Sequence, residues 1–336
     1  MNKAFVFGKF LPFHQGHQAM IEFALTQCNK LTVLICASDH ENLPAEERKN
    51  WLEKTFDQEN QIEIQILNYK ESELPNTSET SEEVSKIWAA LFKSKFLDYD
   101  ALITSEEYGN LVAKFMQIQH IPFDLSKQLF PISATLIRED LFTYWHYLPE
   151  SVKPSFAIKI VMLGTESTGK TTLAEQLANH FTCSLVLEAG RELIPDSKDF
   201  NVQDLYLVAT EHAKRIDKSV LANSPLIMID TDIHITKSYG QFMFKKDIEI
   251  SDDIYKSNRA NIYLYLNNDV EFIQDGTRLS ESERNLLDQS HRHVLQTHGI
   301  QFIEIQGSWN ERFYKAVQEI NQLIQANSRL DFRINE

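Results

Sequence analysis

The stretch that most restricts what this chain can fold into is Gly164-Thr165-Glu166-Ser167-Thr168-Gly169-Lys170-Thr171, near the middle of 336 residues. It satisfies the pattern GxxxxGK[ST] at every fixed position. Residues 157–163, AIKIVML, read as a strand, and Thr172–His180 as a helix with Leu173 and Leu177 four apart. Strand, glycine-containing loop and helix in that order predict a parallel α/β unit whose loop amides turn onto phosphate oxygens. Gly164 and Gly169 allow the turn, with Glu166, Ser167, Thr168 and Thr172 in or beside it as further nucleotide-binding candidates. Lys170 is expected against the β- and γ-phosphates, and Thr171 is expected to offer its hydroxyl to a magnesium ion.

A second phosphate signature stands at the N-terminus. Gly8-Lys9-Phe10-Leu11-Pro12-Phe13-His14-Gln15-Gly16-His17 follows an apolar strand, Ala4–Gly8, and places two histidines three apart where a helix begins. Free amides at a helix start favour anions. Gly8 would let backbone approach a ligand, and Gly16 would leave room for a phosphate beside the imidazoles. Further on, Ile132-Ser133-Ala134-Thr135-Leu136-Ile137-Arg138 opens another helix. Ser133 or Thr135 can cap it and supply a hydroxyl, and Arg138 carries a planar fork suited to phosphate.

Strand and helix patterns alternate through the first half: helix His17–Cys28, strand Leu31–Ala37, helix Pro44–Phe56, strand Gln61–Leu67, a helix containing Val84, Ile87, Trp88 and Leu91, and strand Ala101–Thr104. Such alternation predicts a parallel sheet with ligands at the carboxyl ends of its strands. Leu148–Pro154 holds two prolines and little periodicity, so domains are expected at 1–150 and 155–336. The pattern restarts beyond it with strands Ser184–Leu187, Pro225–Ile229, Ala260–Leu266 and Gln301–Gln306, a long helix Val202–Leu221, and Ser280-Glu281-Ser282-Glu283 as a capping box.

Net charge narrows the partners. At −15 the chain is a poor match for a nucleic-acid backbone, so no nucleic acid is expected. No apolar run approaches a membrane span and no signal-peptide pattern opens the chain, so no membrane and a cytoplasmic location are expected. Cys28, Cys36 and Cys183 lie in or beside apolar stretches and read as reduced, buried thiols. A homo-oligomer is left open.

Acidic residues cluster at predicted strand ends in the second half. Asp230-Thr231-Asp232 closes one strand, and Asp230 is the candidate for ordering magnesium. Glu188 follows another strand and could take a proton from a sugar hydroxyl, while Arg191 could hold substrate or phosphate. Asp269, Asp275, Gly276 and Arg278 fall in a polar segment suited to a lid over ATP, with Arg278 a nucleotide-binding candidate.

The GxFxPxHxGH and ISxTxIR patterns together resemble the nucleotidylyltransferase superfamily. The order of these motifs, the linker, the phosphate loop, EAGRE, IDTD and NNDVEFIQDGTR resembles the NadR-type bifunctional proteins over nearly the whole chain. That resemblance implies a Rossmann-like nucleotidylyltransferase domain followed by a P-loop kinase domain, each α/β with a mainly parallel sheet. It implies phosphorylation of nicotinamide riboside by ATP to nicotinamide mononucleotide (NMN), then adenylyl transfer from ATP to NMN giving NAD and pyrophosphate, with Mg2+ as cofactor. His14, His17 and Arg138 would stabilise the triphosphate, with Gly8, Lys9, Phe10, Leu11, Pro12, Gly16, Ser133 and Thr135 around the nucleotide. For the kinase base Glu188 and Asp232 both remain, and the position of the acid in nucleoside kinases of this architecture favours Glu188. Two departures are noted: the helix-turn-helix of some members is expected to be absent, and PNGWxxW is replaced by Pro75-Asn76-Thr77-Ser78-Glu79-Thr80-Ser81, leaving Trp88 to face the pyridine ring. The competing readings are a kinase-only ribonucleoside kinase and a non-enzymatic NAD- or ATP-sensing protein.

Overall fold

Runs rich in β-branched and aliphatic residues become strands here, and the helical segments between them force parallel pairing, because a tight hairpin cannot reverse direction across a helix. The computed structural model describes residues 1–76, 80–194, 199–273 and 279–333. The chain divides into two compact units, Met1–Val152 with the segment from Ser328 onward, and Lys153–Asn327.

The first unit holds β1 (Lys3–Gly8), β2 (Lys30–Ser38), β3 (Ile62–Tyr69), β4 (Ala101–Thr104) and β5 (Gln119–Pro122) in the order β3-β2-β1-β4-β5, every pairing parallel. β1 runs beside β2 from Lys3 opposite Lys30 to Gly8 opposite Ile35. The order reverses at β1, with β2 on one side and β4 on the other. Such a switch point opens a crevice beyond the strands' carboxyl ends, and the first histidine motif follows directly. Phe5 anchors the core, its ring stacked 4.4 Å from Phe96 and edge-on 5.5 Å from Phe92. The helix Tyr108–Met116 and β5 were not read from the sequence. β5 has only four residues, two of them polar, and ends in a proline that an edge strand tolerates. Pro44 is the N-cap of the helix Ala45–Thr55, one place before the first helical position.

The second unit holds β6 (Ile158–Leu163), β7 (Ser184–Val186), β8 (Leu226–Asp230), β9 (Ile262–Leu266) and β10 (Ile303–Ile305) in the order β10-β9-β6-β8-β7, again all parallel. β6 is central and all six of its residues are buried. It delivers the chain into the phosphate loop, and Asp230 at the end of β8 lies opposite Met162. The helix Glu281–Thr297 begins at the expected capping box, with Glu283 N–H donating to Ser280 Oγ and Ser280 N–H to Glu283 Oε2.

The division falls between Val152 and Lys153, inside the proline-bearing segment Leu148–Pro154. Lys153 begins a short helix, Lys153–Phe156, whose first turn accepts Pro154 because no intrahelical acceptor is lost there. The chain returns to the first unit at Ser328, whereas a boundary set at 155–336 leaves that segment with the second. Among the described residues, no helix is long and apolar enough to cross a membrane.

Candidate active sites

In the first unit a cleft of about 470 Å³ opens at the switch point. Gly8, Lys9, His14, Gly16, His17, Ser133 and Thr135 line it. His14 caps the helix Gln15–Gln27, its Nδ1 accepting from the Gly16 and His17 amides at 3.1 and 3.4 Å. An Nδ1 that accepts puts the proton of a neutral imidazole on Nε2, which can then donate to an oxyanion. The His14 and His17 rings stack with centroids 3.7 Å apart. Burial first, then the neighbouring His17 and the charges of Lys127 and Arg138, hold His14 well below the ordinary imidazole range. Burial, then Lys127, pushes His17 down to about 3. Both rings are therefore neutral at physiological pH, and each keeps one ring N–H able to donate.

Gly16 serves the imidazole more than a phosphate: a Cβ there would lie 3.1 Å from the His14 ring and 3.4 Å from Ile132. Phe10, Leu11 and Pro12 are buried beneath the cleft and do not line it. Phe10 packs edge-on to His17 at 5.0 Å, and the Leu11 carbonyl accepts from Arg138 at 2.6 Å. Arg138 also donates to Thr135 Oγ1 at 2.9 Å and is not itself among the residues that line the cleft. Ser133 caps its helix through Leu136 N–H. Lys9 Nζ is held by Glu41 at 2.8 Å and Glu71 at 3.6 Å, and Arg48 pairs with Glu41 at 2.7 Å. Sequence reading missed Lys127, a cation in the cleft paired with Glu106 at 3.1 Å; it belongs to no periodic pattern. Trp88 does line the cleft, its Nε1 donating to Pro75 O at 3.0 Å and its ring nearly parallel to Phe7 at 6.4 Å. Thr77, Ser78 and Glu79 lie outside the described residues.

In the second unit Gly164 and Gly169 hold φ of +136° and +85°, and Ser167 takes the left-handed region at 61°. A Cβ on Gly164 would sit 2.6 Å from the Leu266 carbonyl. The Thr165 carbonyl accepts from Thr168 Oγ1 at 2.8 Å and Lys170 Nζ at 3.0 Å. The ammonium has three N–H groups, so this bond leaves two for other acceptors. Thr171 donates through its hydroxyl to Asp230 Oδ2 in a short hydrogen bond. Asp230 is fully buried, and its Oδ1 has no hydrogen-bond partner among the described residues. A buried carboxylate oxygen without a donor, beside a hydroxyl, fits a magnesium ion that takes its remaining oxygens from phosphate and water. Among the described residues no three His, Cys, Asp or Glu side chains cluster as a protein-only metal cage.

Glu188 approaches the same point. Burial pushes its carboxyl above the ordinary range; Lys170 and Arg191 oppose the shift, and Asp230 and Glu166 add to it. Asp232 is differently employed. Its Oδ1 accepts from the His234 and Ile235 amides at 3.0 and 3.3 Å, and its Oδ2 meets His234 Nδ1 at 2.5 Å. It caps the helix Ile233–Phe244, and both oxygens are occupied. Glu166 is likewise engaged, by Tyr239 Oη at 3.1 Å and Leu279 N–H at 3.2 Å, while Ser167 Oγ accepts from Ile273 N–H. Thr172 is exposed, and Arg191, largely exposed, sits 3.7 Å from Glu188. Asp269, read as part of a lid, is instead paired with buried Arg312, whose Nη1 also donates to the phosphate-loop carbonyl of Thr168 at 3.1 Å. No local pattern marks this link, because Asp269 and Thr168 lie 43 and 144 residues from Arg312. Asp275, Gly276 and Arg278 lie outside the described residues.

Two parallel sheets, each with a loop of phosphate-binding type at its switch point, give a two-domain α/β protein: a nucleotidylyltransferase-like unit followed by a P-loop kinase-like unit. The family described as citrate lyase ligase C-terminal domain matches residues 4–71, and that described as AAA domain matches residues 159–312. The trifunctional NAD biosynthesis/regulator protein NadR of Escherichia coli (strain K12) is 27% identical over 344 residues, covering 95% of this chain and 82% of that protein. Its Salmonella typhimurium counterpart is 26% identical, covering 96% and 83%. A crystal structure of NadR protein in complex with NR superposes with a TM-score of 0.68 at 18% identity, covering 100% of this chain and 98% of that one. A NadR structure in complex with NAD and AMP-PNP gives 0.64 at 21%, with the same coverage. The chain is thus similar to the NadR proteins across both of its domains.

Proposed function

We propose that the protein makes NAD in two steps, phosphorylating nicotinamide riboside with ATP in the second unit and adenylylating the resulting NMN with a further ATP in the first. The observation that carries this reading is the pair of intact phosphate constellations, one at each switch point, within a chain homologous to NadR along its length.

In the kinase step the riboside 5′-oxygen attacks the γ-phosphorus, the bond to the β-bridging oxygen breaks, and ADP leaves. Glu188 is the residue to accept the hydroxyl proton, since its raised affinity for protons makes it a stronger base than an ordinary carboxylate. Lys170 neutralises the β- and γ-phosphate oxygens. Thr171 and Asp230 would hold Mg2+, which draws negative charge off the triphosphate when bound. In the adenylyl step an NMN phosphate oxygen attacks the α-phosphorus and pyrophosphate leaves. No protein nucleophile is required, so the work is alignment and charge stabilisation. His14 donates from Nε2, His17 stands stacked beside it, and Lys9, Lys127 and Arg138 supply positive charge around the triphosphate. Trp88 gives the pyridine ring an aromatic wall where the related PNGWxxW tryptophans are missing. A cytoplasmic location is part of the proposal, and the acidic composition speaks against a nucleic-acid partner.

The test is to supply nicotinamide riboside, ATP and magnesium and identify the products by mass. NAD is expected. NMN alone would favour a kinase-only protein, and unchanged riboside a sensor of NAD or ATP.

A further inference from the structure

The helix that carries Arg138, Ala134–Glu139, has six residues, too few to be stable unaided. Its last carbonyls have no partner within the helix and must find one elsewhere. The partner of the Arg138 carbonyl comes from the far end of the chain: Leu330 N–H donates to it at 2.8 Å. Two residues earlier, the Ser328 carbonyl accepts from Leu141 N–H at 3.0 Å, fixing the turn that follows the helix. Two residues later, the Phe332 carbonyl accepts from Asn42 N–H at 2.9 Å, and Asn42 Nδ2 donates to the Asp331 carbonyl at 3.3 Å. Glu41 and Arg333 form an antiparallel bridge, and the Phe332 side chain is only 8% exposed. Glu41 also grips Lys9 and Arg48. The segment 328–333 thus ties the wall bearing Arg138 to the wall bearing Lys9.

We infer that residues 328–333, although they follow the kinase unit in sequence, are a positioning element of the first unit's nucleotide site, setting Arg138 against the Leu11 carbonyl and Glu41 against Lys9. Arg138 cannot be aimed by its own helix, which ends one residue later. The guanidinium's place therefore depends on a main-chain bond from Leu330 and on the anchoring of Phe332.

As a readout of activity this rests on the adenylyltransferase reading, so the experiment has an arm that does not. The intact protein, a chain ending at Asn327, and Leu330→Pro are compared for adenylyl transfer to supplied NMN, for kinase rate, and for amide hydrogen exchange. Removing the segment is expected to lower adenylyl transfer about tenfold, the size of one coupling between contacting residues. The kinase rate should stay within about twofold, since sites in separate units act independently. In an Arg138→Lys background the same truncation should cost less, because the part of its effect that runs through that side chain is already gone; a merely structural role would give an undiminished further loss. Exchange should quicken in residues 134–141 and 38–44. Transfer at the intact rate, an undiminished loss beside Arg138→Lys, or unchanged exchange in those two segments would overturn the inference. Absence of transfer by the intact protein would overturn the parent reading instead, and the exchange comparison alone would then decide whether the segment positions the helix.

Discussion

Glu188 and Asp232 are the two carboxylates the sequence offers as kinase base, and their surroundings predict opposite phenotypes for the isosteric amides. In Asp232→Asn the remaining side-chain oxygen still caps the helix Ile233–Phe244, since asparagine caps about as well as aspartate. What is lost is the charge on the 2.5 Å contact with His234, a hydrogen bond to a charged group worth about 1.5–3 kcal/mol. For a unit of this size that corresponds to a melting shift of about 3–12 °C. Kinase turnover should change less than about threefold, because the carboxylate does not face the transferred proton. Glu188→Gln should do the reverse. Loss of the base is expected to lower turnover by about 10² to 10⁴. Its carboxyl binds a proton more tightly folded than unfolded, so stability falls as pH rises through the folded value, the burden of ionising a buried carboxyl. The amide removes that burden, and the melting temperature at pH 7 should not drop. Steady-state phosphorylation at saturating magnesium, paired with thermal melts, measures both. A folded Asp232→Asn protein with collapsed turnover, alongside an active Glu188→Gln protein, would refute the reasoning.

Lys170→Ala should abolish the kinase and spare adenylyl transfer to supplied NMN, as separate rate assays on one preparation would show; loss of both in a folded protein would count against independent sites. His17→Ala should cut adenylyl turnover about a hundredfold, as removal of a preorganised donor does, with little change in the Michaelis constant. Because folded His17 takes a proton only near pH 3 while the unfolded chain takes one near 6.5, stability of the first unit should fall as pH drops between those values. His291 in the second unit is also pushed to about 3, by burial first and Lys170 second, so His17→Asn and His291→Asn should each flatten the acid dependence of one melting transition. Trp88→Ala should raise the Michaelis constant for NMN about tenfold, the loss of one ring-stacking contact, while leaving that for ATP nearly unchanged.

Much of both sites was legible in residue order because phosphate loops are built from contiguous chain. Gly164 and Gly169 set the backbone turn that presents Lys170 and Thr171, all within eight residues, and His14 is locked by amides two and three positions on. Alternating apolar segments likewise told parallel α/β architecture, since a strand buried on both faces can hardly be written otherwise. Only the tertiary structure could assign work among chemically similar groups. Asp230 and Asp232 are two residues apart, yet one keeps a bare carboxylate oxygen beside Thr171 and the other spends both on a helix start and a histidine. Asp269 reads as a loop acid until Arg312, 43 residues on, is seen to claim it. The strap from Ser328 to Arg333 has no pattern of its own, and nothing local could assign it to the first unit. Periodicity reports which face of an element is buried, but the partner of a polar or charged group is chosen by three-dimensional proximity, which sequence separation does not encode.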